Sequence, residues 1–70
     1  MYTVTAVYQG CEIGFGEGES YDYAMNEAID SIDSQYVEFC ADDIVLRAIS
    51  STLNCVAVET QLSLWLSLTA

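Results

Sequence analysis

The sequence contains no lysine, no histidine and no proline, and its only cationic side chain is Arg47. Eleven carboxylates face this single cation, so the formal net charge of the 70 residues is −10 at pH 7. One arginine cannot neutralise a track of phosphates, which excludes direct nucleic-acid binding through a basic patch. The missing imidazole and amine groups also remove most general bases and the usual activating partners of a nucleophile. We therefore expect a protein that is not an enzyme and does not contact nucleic acid itself.

Cysteine is scarce, and its spacing argues against a structural role. The three cysteines, Cys11, Cys40 and Cys55, are odd in number, lie far apart and form no Cys-x-x-Cys pair. A disulfide framework or a zinc site would need such pairing. The acids also lack the Asp-x-Asp-x-Asp-Gly spacing of a calcium loop. We expect no metal, no cofactor and free thiols in a reducing cytosol, with an intermolecular disulfide on oxidation as the alternative.

Long apolar runs are absent as well. The longest are only a few residues, such as Ile44-Val45-Leu46, which is far too short for a membrane span. Residues 1–5 have neither the positive charge nor the apolar stretch of a secretory signal. The sequence therefore predicts a cytoplasmic protein without a membrane contact. Its hydrophobic content of 53% is sufficient for the core of one domain over 1–70.

The first two strands are predicted from the alternation of residue types along the chain, and the first helix from apolar residues that recur at helical spacing. Alternating β-branched and aromatic residues over 2–9 predict a strand, and Gly10 then turns the chain into a second strand with Cys11, Ile13 and Phe15 facing inward. Residues 16–19 are expected to form a flexible acidic loop. Ser20 then begins a helix over 21–33. Its predicted buried stripe consists of Ala24, Met25, Ala28, Ile29 and Ile32.

The second half of the chain leaves one alternative open. A second helix over 35–54 is favoured, but it would be apolar nearly all round and its second apolar stripe would need the sheet or another subunit as a partner. The competing interpretation makes Ile44–Ser50 a strand. Two further strands are predicted over 55–59 and 62–68, the latter with four leucines on one face and Trp65 on the more polar face. The predicted fold class is α+β: a small antiparallel sheet, made of an N-terminal hairpin and C-terminal strands, with one or two helices packed on one face.

The acidic residues are concentrated in one part of the sequence. Ten of the eleven lie between Glu12 and Asp43, and no cation follows them at helical spacing, so the predicted helix lacks the usual stabilising ion pairs. Carboxylates one helical turn apart are roughly 5–6 Å apart along the axis, close to the spacing of phosphates along a strand. The candidate partner-binding residues are therefore Glu17, Glu19, Asp22, Glu27, Asp30, Asp33, Glu38, Asp42 and Asp43. Such a surface would be attracted to a basic groove.

The layout also resembles that of very small acidic anti-CRISPR proteins encoded by phages. The resemblance covers a short hairpin from Met1-Tyr2-Thr3-Val4, a helix opened by Ser20-Tyr21-Asp22-Tyr23-Ala24, and an antiparallel sheet. It includes no diagnostic motif. It implies an inhibitor, in the cytoplasm of a bacterial host cell, that binds a Cas subunit or a Cascade-type complex and keeps it from its target DNA.

Two other classes of function remain open for this sequence. One is a small antitoxin-like partner of some other basic protein. The other is a structural protein that self-associates, as a homodimer, while its acids only keep it soluble. Salt separates these possibilities, because attraction between charges weakens steeply with ionic strength whereas a hydrophobic dimer hardly responds.

Overall fold

A computed structural model describes residues 1–50 and 57–69. The elements in chain order are β1 (Tyr2–Tyr8), β2 (Cys11–Gly18), α1 (Tyr21–Asp30), α2 (Ser34–Phe39), a 3₁₀ turn (Ala41–Asp43), β3 (Ile44–Ser50), β4 (Ala57–Gln61) and α3 (Leu62–Thr69). The strands form a four-stranded antiparallel sheet in the order β2-β1-β3-β4. Helices α1 and α3 pack against the same face of this sheet. The predicted α+β class is confirmed.

The N-terminal hairpin is confirmed, but its inward face differs from the prediction. Gln9 and Gly10 both have positive φ, 51° and 78°, which is the geometry of the tight turns that suit the twist of a hairpin. A register shift follows between Ala6 and Val7. Phe15 pairs with Thr5, on the face of the sheet opposite Val4 and Ala6, and is exposed, Cys11 is exposed next to the turn, and Ile13 is half-buried. The predicted inward set was therefore wrong for Phe15 and Cys11. The inward positions are taken by glycines.

Residues 16–18 belong to β2 and not to a flexible loop. Gly14 and Gly16 face α1, and a Cβ on Gly14 would lie 2.6 Å from Cγ1 of Ile32. A Cβ on Gly16 would overlap the backbone nitrogen of Ala28. The glycines therefore serve close packing of α1 on the strand, a use that glycine in a strand commonly has.

Helix α1 confirms the predicted start and most of the predicted buried stripe. Ser20 is its N-cap, with the Ser20 Oγ accepting from the Tyr23 N–H at 3.1 Å. The predicted stripe is buried at Ala24, Met25, Ala28 and Ile32 and half-buried at Ile29. The helix ends at Asp30 instead of residue 33, because Asp33 begins the next helix as its N-cap.

The predicted second helix over 35–54 was wrong. Helix α2 stops at Phe39, and Cys40 has φ −126°, outside the helical region. Ile44–Ser50 is instead strand β3, which lies between β1 and β4 and alternates between buried and less buried side chains. A strand places the apolar residues of this segment on the two faces of a sheet, so the helix that was apolar all round is avoided. The structure thus adopts the competing interpretation.

The predicted leucine strand over 62–68 was also wrong. Residues 57–61 are strand β4, so the strand predicted over 55–59 is confirmed for residues 57–59, and residues 55 and 56 lie outside the described residues. Leu62–Thr69, in contrast, is helix α3. Helical spacing brings Leu62 and Trp65 into the core, at 0% and 8% exposure, and leaves Leu64 and Leu68 mostly exposed. Trp65 is therefore a core residue and not a residue of a polar face. Its ring meets Tyr21 edge-on at 5.7 Å, which joins α3 to α1.

The core lies between the inner sheet face and the two helices. Its largest fully buried side chains are Val4, Met25, Ile44, Leu46 and Leu62. Within the described ranges 1–50 and 57–69, no helix is long and apolar enough to cross a membrane.

Candidate functional site

All nine predicted partner-binding acids are exposed, but the structure divides them among three surfaces. The first surface, called here the acidic α1 face, consists of Asp22, Glu27 and Asp30. Each is exposed on α1, and none belongs to its buried set of Ala24, Met25 and Ala28. Glu19 lies just before this helix, beside Ser20 and Tyr23. Glu27 and Asp30 are about one helical turn apart, as the sequence predicts, whereas Asp22 lies five residues before Glu27 and about 140° away round the helix.

Glu17 does not join this face. In strand β2 the neighbouring Gly16 and Gly18 point toward α1 and Tyr23, so Glu17 points to the opposite side of the sheet. Glu12 is also on that outer side, because it pairs with Val7. A continuous acidic track from residue 17 to residue 43, as the sequence suggested, is not formed.

The remaining four acids surround α2 and the 3₁₀ turn. Asp33 caps α2, its Oδ1 accepting from the Gln35 N–H at 3.0 Å. Glu38 is exposed on α2, and Asp42 and Asp43 are exposed in the turn. These acids frame a second negative surface, separate in sequence from the acidic α1 face.

An aromatic groove lies beside this second group and was missed by the sequence analysis. The groove has a volume of about 420 Å³, and we call it the α2 aromatic groove; its lining residues are Asp33, Gln35, Tyr36, Phe39 and Cys40. Phe39 is 77% exposed and Tyr36 is 37% exposed. The Tyr36 ring packs against Tyr8 of β1 at a centroid distance of 5.4 Å. The groove therefore offers one supported and one freely exposed ring.

A sequence signal for this groove did exist. Tyr36 and Phe39 are three residues apart, which places them on one side of a helix. Val37 and Cys40 pack against the core. The signal was hidden because the predicted helix was extended through Ile44–Ser50, which is strand β3.

A side-chain hydrogen bond, with a smaller contribution from negative charge, raises the pKa of one tyrosine at each of these surfaces. The pKa of Tyr23 lies above its ordinary value of 10.0 because its side chain hydrogen-bonds Glu27 and the Glu27 charge opposes a tyrosinate. The pKa of Tyr8, beside the α2 aromatic groove, is raised chiefly by a side-chain hydrogen bond with Cys40, with charge on Cys40 and Asp43 adding to it.

The only cationic side chain of the chain lies on the outer face of the sheet. Arg47 is exposed on β3, in register with Thr5 of β1 and Glu59 of β4. Phe15 continues the same row on β2 and is 46% exposed. Helices α1 and α3 cover the other face, so the arginine is on the opposite side of the sheet from the acidic α1 face. Arg47 is therefore not placed to pair with the acids of α1.

Neither metal binding nor disulfide formation finds support in the described part of the chain. No group of three or more Cys, Asp and Glu side chains in these ranges is arranged to hold a metal ion. Cys11 is an exposed free thiol and Cys40 a half-buried one. Cys55 lies outside the described residues.

Comparison of the chain with protein-family models, with curated proteins and with solved structures finds no match.

Proposed function

We propose that this protein is a non-enzymatic inhibitor that binds a basic, nucleic-acid-binding surface of another protein through acids on its helical side. The observation that carries this proposal is the separation of charge. Asp22, Glu27 and Asp30 are exposed on α1, whereas Arg47 is on the outer sheet face. A helix selected only for stability would pair such acids with cations at i+4.

Mimicry of a phosphate track explains this arrangement. A basic groove that binds nucleic acid is attracted to spaced carboxylates at long range, and binding releases the counterions of both surfaces. The inhibitor would occupy the basic groove of its partner and exclude the nucleic acid from it. The partner implied by the resemblance to anti-CRISPR proteins is a Cas subunit or a Cascade-type complex in the bacterial cytoplasm.

The test compares two baits with equal changes in charge. Glu27→Lys with Asp30→Lys alters the acidic α1 face, and Glu12→Lys with Glu17→Lys alters the outer face of β2. Each bait captures proteins from host lysate at low and high salt, and a DNA duplex then competes for the captured protein. We expect the α1 variant to lose about 10-fold or more in capture, since two attractions become repulsions. The outer-face variant should lose far less.

The result that contradicts the proposal is equal behaviour of the two variants. Equal loss would mean that total charge matters and its location does not. No loss in either, with normal thermal melts, would mean that the acids only confer solubility. Failure of DNA to displace the captured protein would show that the surface bound is not one that binds nucleic acid.

A self-associating protein is the second candidate, and the outer sheet face favours it. None of the helices in residues 1–50 and 57–69 covers this face, and its apolar side chains Val7, Val45 and Ile49 are only half-buried while Phe15 is exposed. Analytical ultracentrifugation at low and high salt distinguishes the two. A dimer that persists at high salt and is disrupted by Phe15→Asp supports self-association through this face.

A further inference from the structure

We infer that the α2 aromatic groove receives an arginine side chain of the basic partner, with the guanidinium against the rings of Tyr36 and Phe39 and beside the Asp33 carboxylate. This inference rests on the proposed function and deepens it, because it names the side chain that the partner contributes. The acidic α1 face would attract the partner, and the groove would hold it.

The exposure of Phe39 is the first observation. Phe39 is 77% exposed, on a six-residue helix in which Val37 is half-buried and no side chain is fully buried. An aromatic ring in this position adds little to folding, while aromatic residues at the centre of an interface commonly supply a large part of the binding energy. Tyr36 is packed against Tyr8, so its ring is already held before a partner arrives and loses little freedom on binding.

Charge complementarity is the second observation, and it identifies the occupant. Asp33 lines the groove, and Asp42 and Asp43 are exposed in the turn that follows α2. Asp33 uses one oxygen to cap α2, which leaves the other oxygen able to accept from a guanidinium. An apolar surface flanked by carboxylates suits a cation with a flat apolar face. Arginine has that form, whereas the lysine ammonium is a compact and strongly hydrated charge.

A second copy of this chain is a poor occupant. Two copies, each with a net charge of −10, repel one another. The one arginine of each copy, Arg47, lies on the outer face of the sheet, where it is paired in register with Glu59 of β4. The groove volume of about 420 Å³ is also of the size that accommodates a single long side chain or a small ligand.

The experiment uses blocked pentapeptides as probes. Gly-Arg-Gly-Arg-Gly, its lysine counterpart and its neutral citrulline counterpart are titrated into the labelled protein and followed by NMR. We expect the arginine peptide to shift the signals of Tyr36, Phe39 and Cys40, and to bind about two- to fivefold more tightly than the lysine peptide. The citrulline peptide should not bind.

Two variants locate the effect. Phe39→Ala should weaken arginine-peptide binding by about two- to fivefold, with the amide spectrum of the fold retained. Leu68→Ala is the matched control, because Leu68 is 73% exposed on α3 and its removal should leave binding unchanged. Equal effects of the two substitutions, or no effect of Phe39→Ala, would overturn the inference.

The remaining outcomes separate the groove from the acidic surface as a whole. If arginine and lysine peptides bind equally and shift only Asp22, Glu27 and Asp30, the groove inference is wrong while the proposed function stands. If neither peptide binds and the charge variants of α1 capture as well as the parent, both are wrong. Shifts at Tyr36 and Phe39 that depend on protein concentration alone would assign the groove to a second copy and overturn the inference.

Discussion

Helices α1 and α2 both present acids to solvent, but they relate to the fold in opposite ways. Helix α1 has ten residues and buries Ala24, Met25 and Ala28 against the sheet. Helix α2 has six residues and fully buries none, although Val37 is half-buried against the core. Helix α1 exposes one ring, Tyr23, at 58%, whereas α2 exposes Tyr36 and leaves Phe39 77% exposed.

Because of this difference, the two acidic surfaces can contribute differently to the binding of a partner. A helix whose apolar side is buried offers a partner mainly charge, which acts at long range and governs the rate of association. A short helix with exposed rings offers contact area as well, which governs how long the complex lasts. Substitutions on the inner side of α1 should therefore damage folding, whereas substitutions on α2 should mainly damage binding.

The substitution that we expect to lower the free energy of unfolding most fills the space between β2 and α1. Gly16→Val places a Cβ where it overlaps the backbone of Ala28, and a backbone cannot move aside as a flexible side chain can. We expect a loss of about 3 kcal/mol or more in the free energy of unfolding, which is enough to unfold much of a domain this small. Chemical denaturation followed by circular dichroism measures it.

The matched control for this prediction is Gly10→Asn in the hairpin turn. A Cβ at Gly10 has nothing within 4 Å, and asparagine tolerates the positive φ of 78° found there. We expect this variant to fold with only a small loss of stability. If Gly16→Val melts like Gly10→Asn, the close approach of α1 to β2 is not what fixes the acidic α1 face.

Sequence reasoning succeeded where local signals and tertiary packing agree. Ser20 provides a cap, and Ala24, Met25 and Ala28 recur at helical spacing, so the start and the inner side of α1 followed directly. The hairpin followed from alternating residues and Gly10. The candidate acids were correctly expected to be exposed, because unpaired carboxylates are rarely buried.

It failed where residues far apart in sequence decide the structure. Ile44–Ser50 fits either period, and its place between β1 and β4 made it a strand. The alternation of leucines over 62–68 suggested a strand, yet the sheet ends at Gln61 and the chain turns so that Leu62 and Trp65 enter the core. The α2 aromatic groove depended on the end of α2 at Phe39 and on the contact of Tyr36 with Tyr8. No local pattern contains that contact.

A smaller effect on the free energy of unfolding is expected at Asp33, and it should differ from the effect at Asp30, three residues earlier. Asp33 is the N-cap of α2, and Asp33→Ala removes that hydrogen bond at a cost of about 1 kcal/mol, or roughly 4–8 °C in Tm. Asp30 is the last residue of α1, where a negative charge opposes the helix dipole. Asp30→Ala should therefore leave stability unchanged or raise it by about 0.3–1 kcal/mol. Thermal melts that fall equally for both variants would contradict the capping role.

The smallest predicted effect is a loss of folding stability in alkaline solution. It arises from two tyrosines, one on α1 and one beside α2. Tyr23 and Tyr8 have pKa values raised above 10.0 in the folded chain, the first chiefly by its hydrogen bond to Glu27 and the second chiefly by that to Cys40. The native state therefore holds these protons more firmly than the unfolded state. Their contribution to stability is complete below pH 10 and is lost as the pH rises through the raised values.

Two substitutions test these origins one at a time. Glu27→Gln removes the charge that opposes ionisation of Tyr23, so the pKa of Tyr23 should fall toward 10 while that of Tyr8 stays raised. Cys40→Ala should lower the pKa of Tyr8 and leave Tyr23 unchanged. Titration of the tyrosine ring carbons by NMR reads both groups in one sample. If Glu27→Gln moves both midpoints together, the two acidic surfaces are electrostatically coupled, and the separate roles assigned to α1 and α2 cannot be maintained.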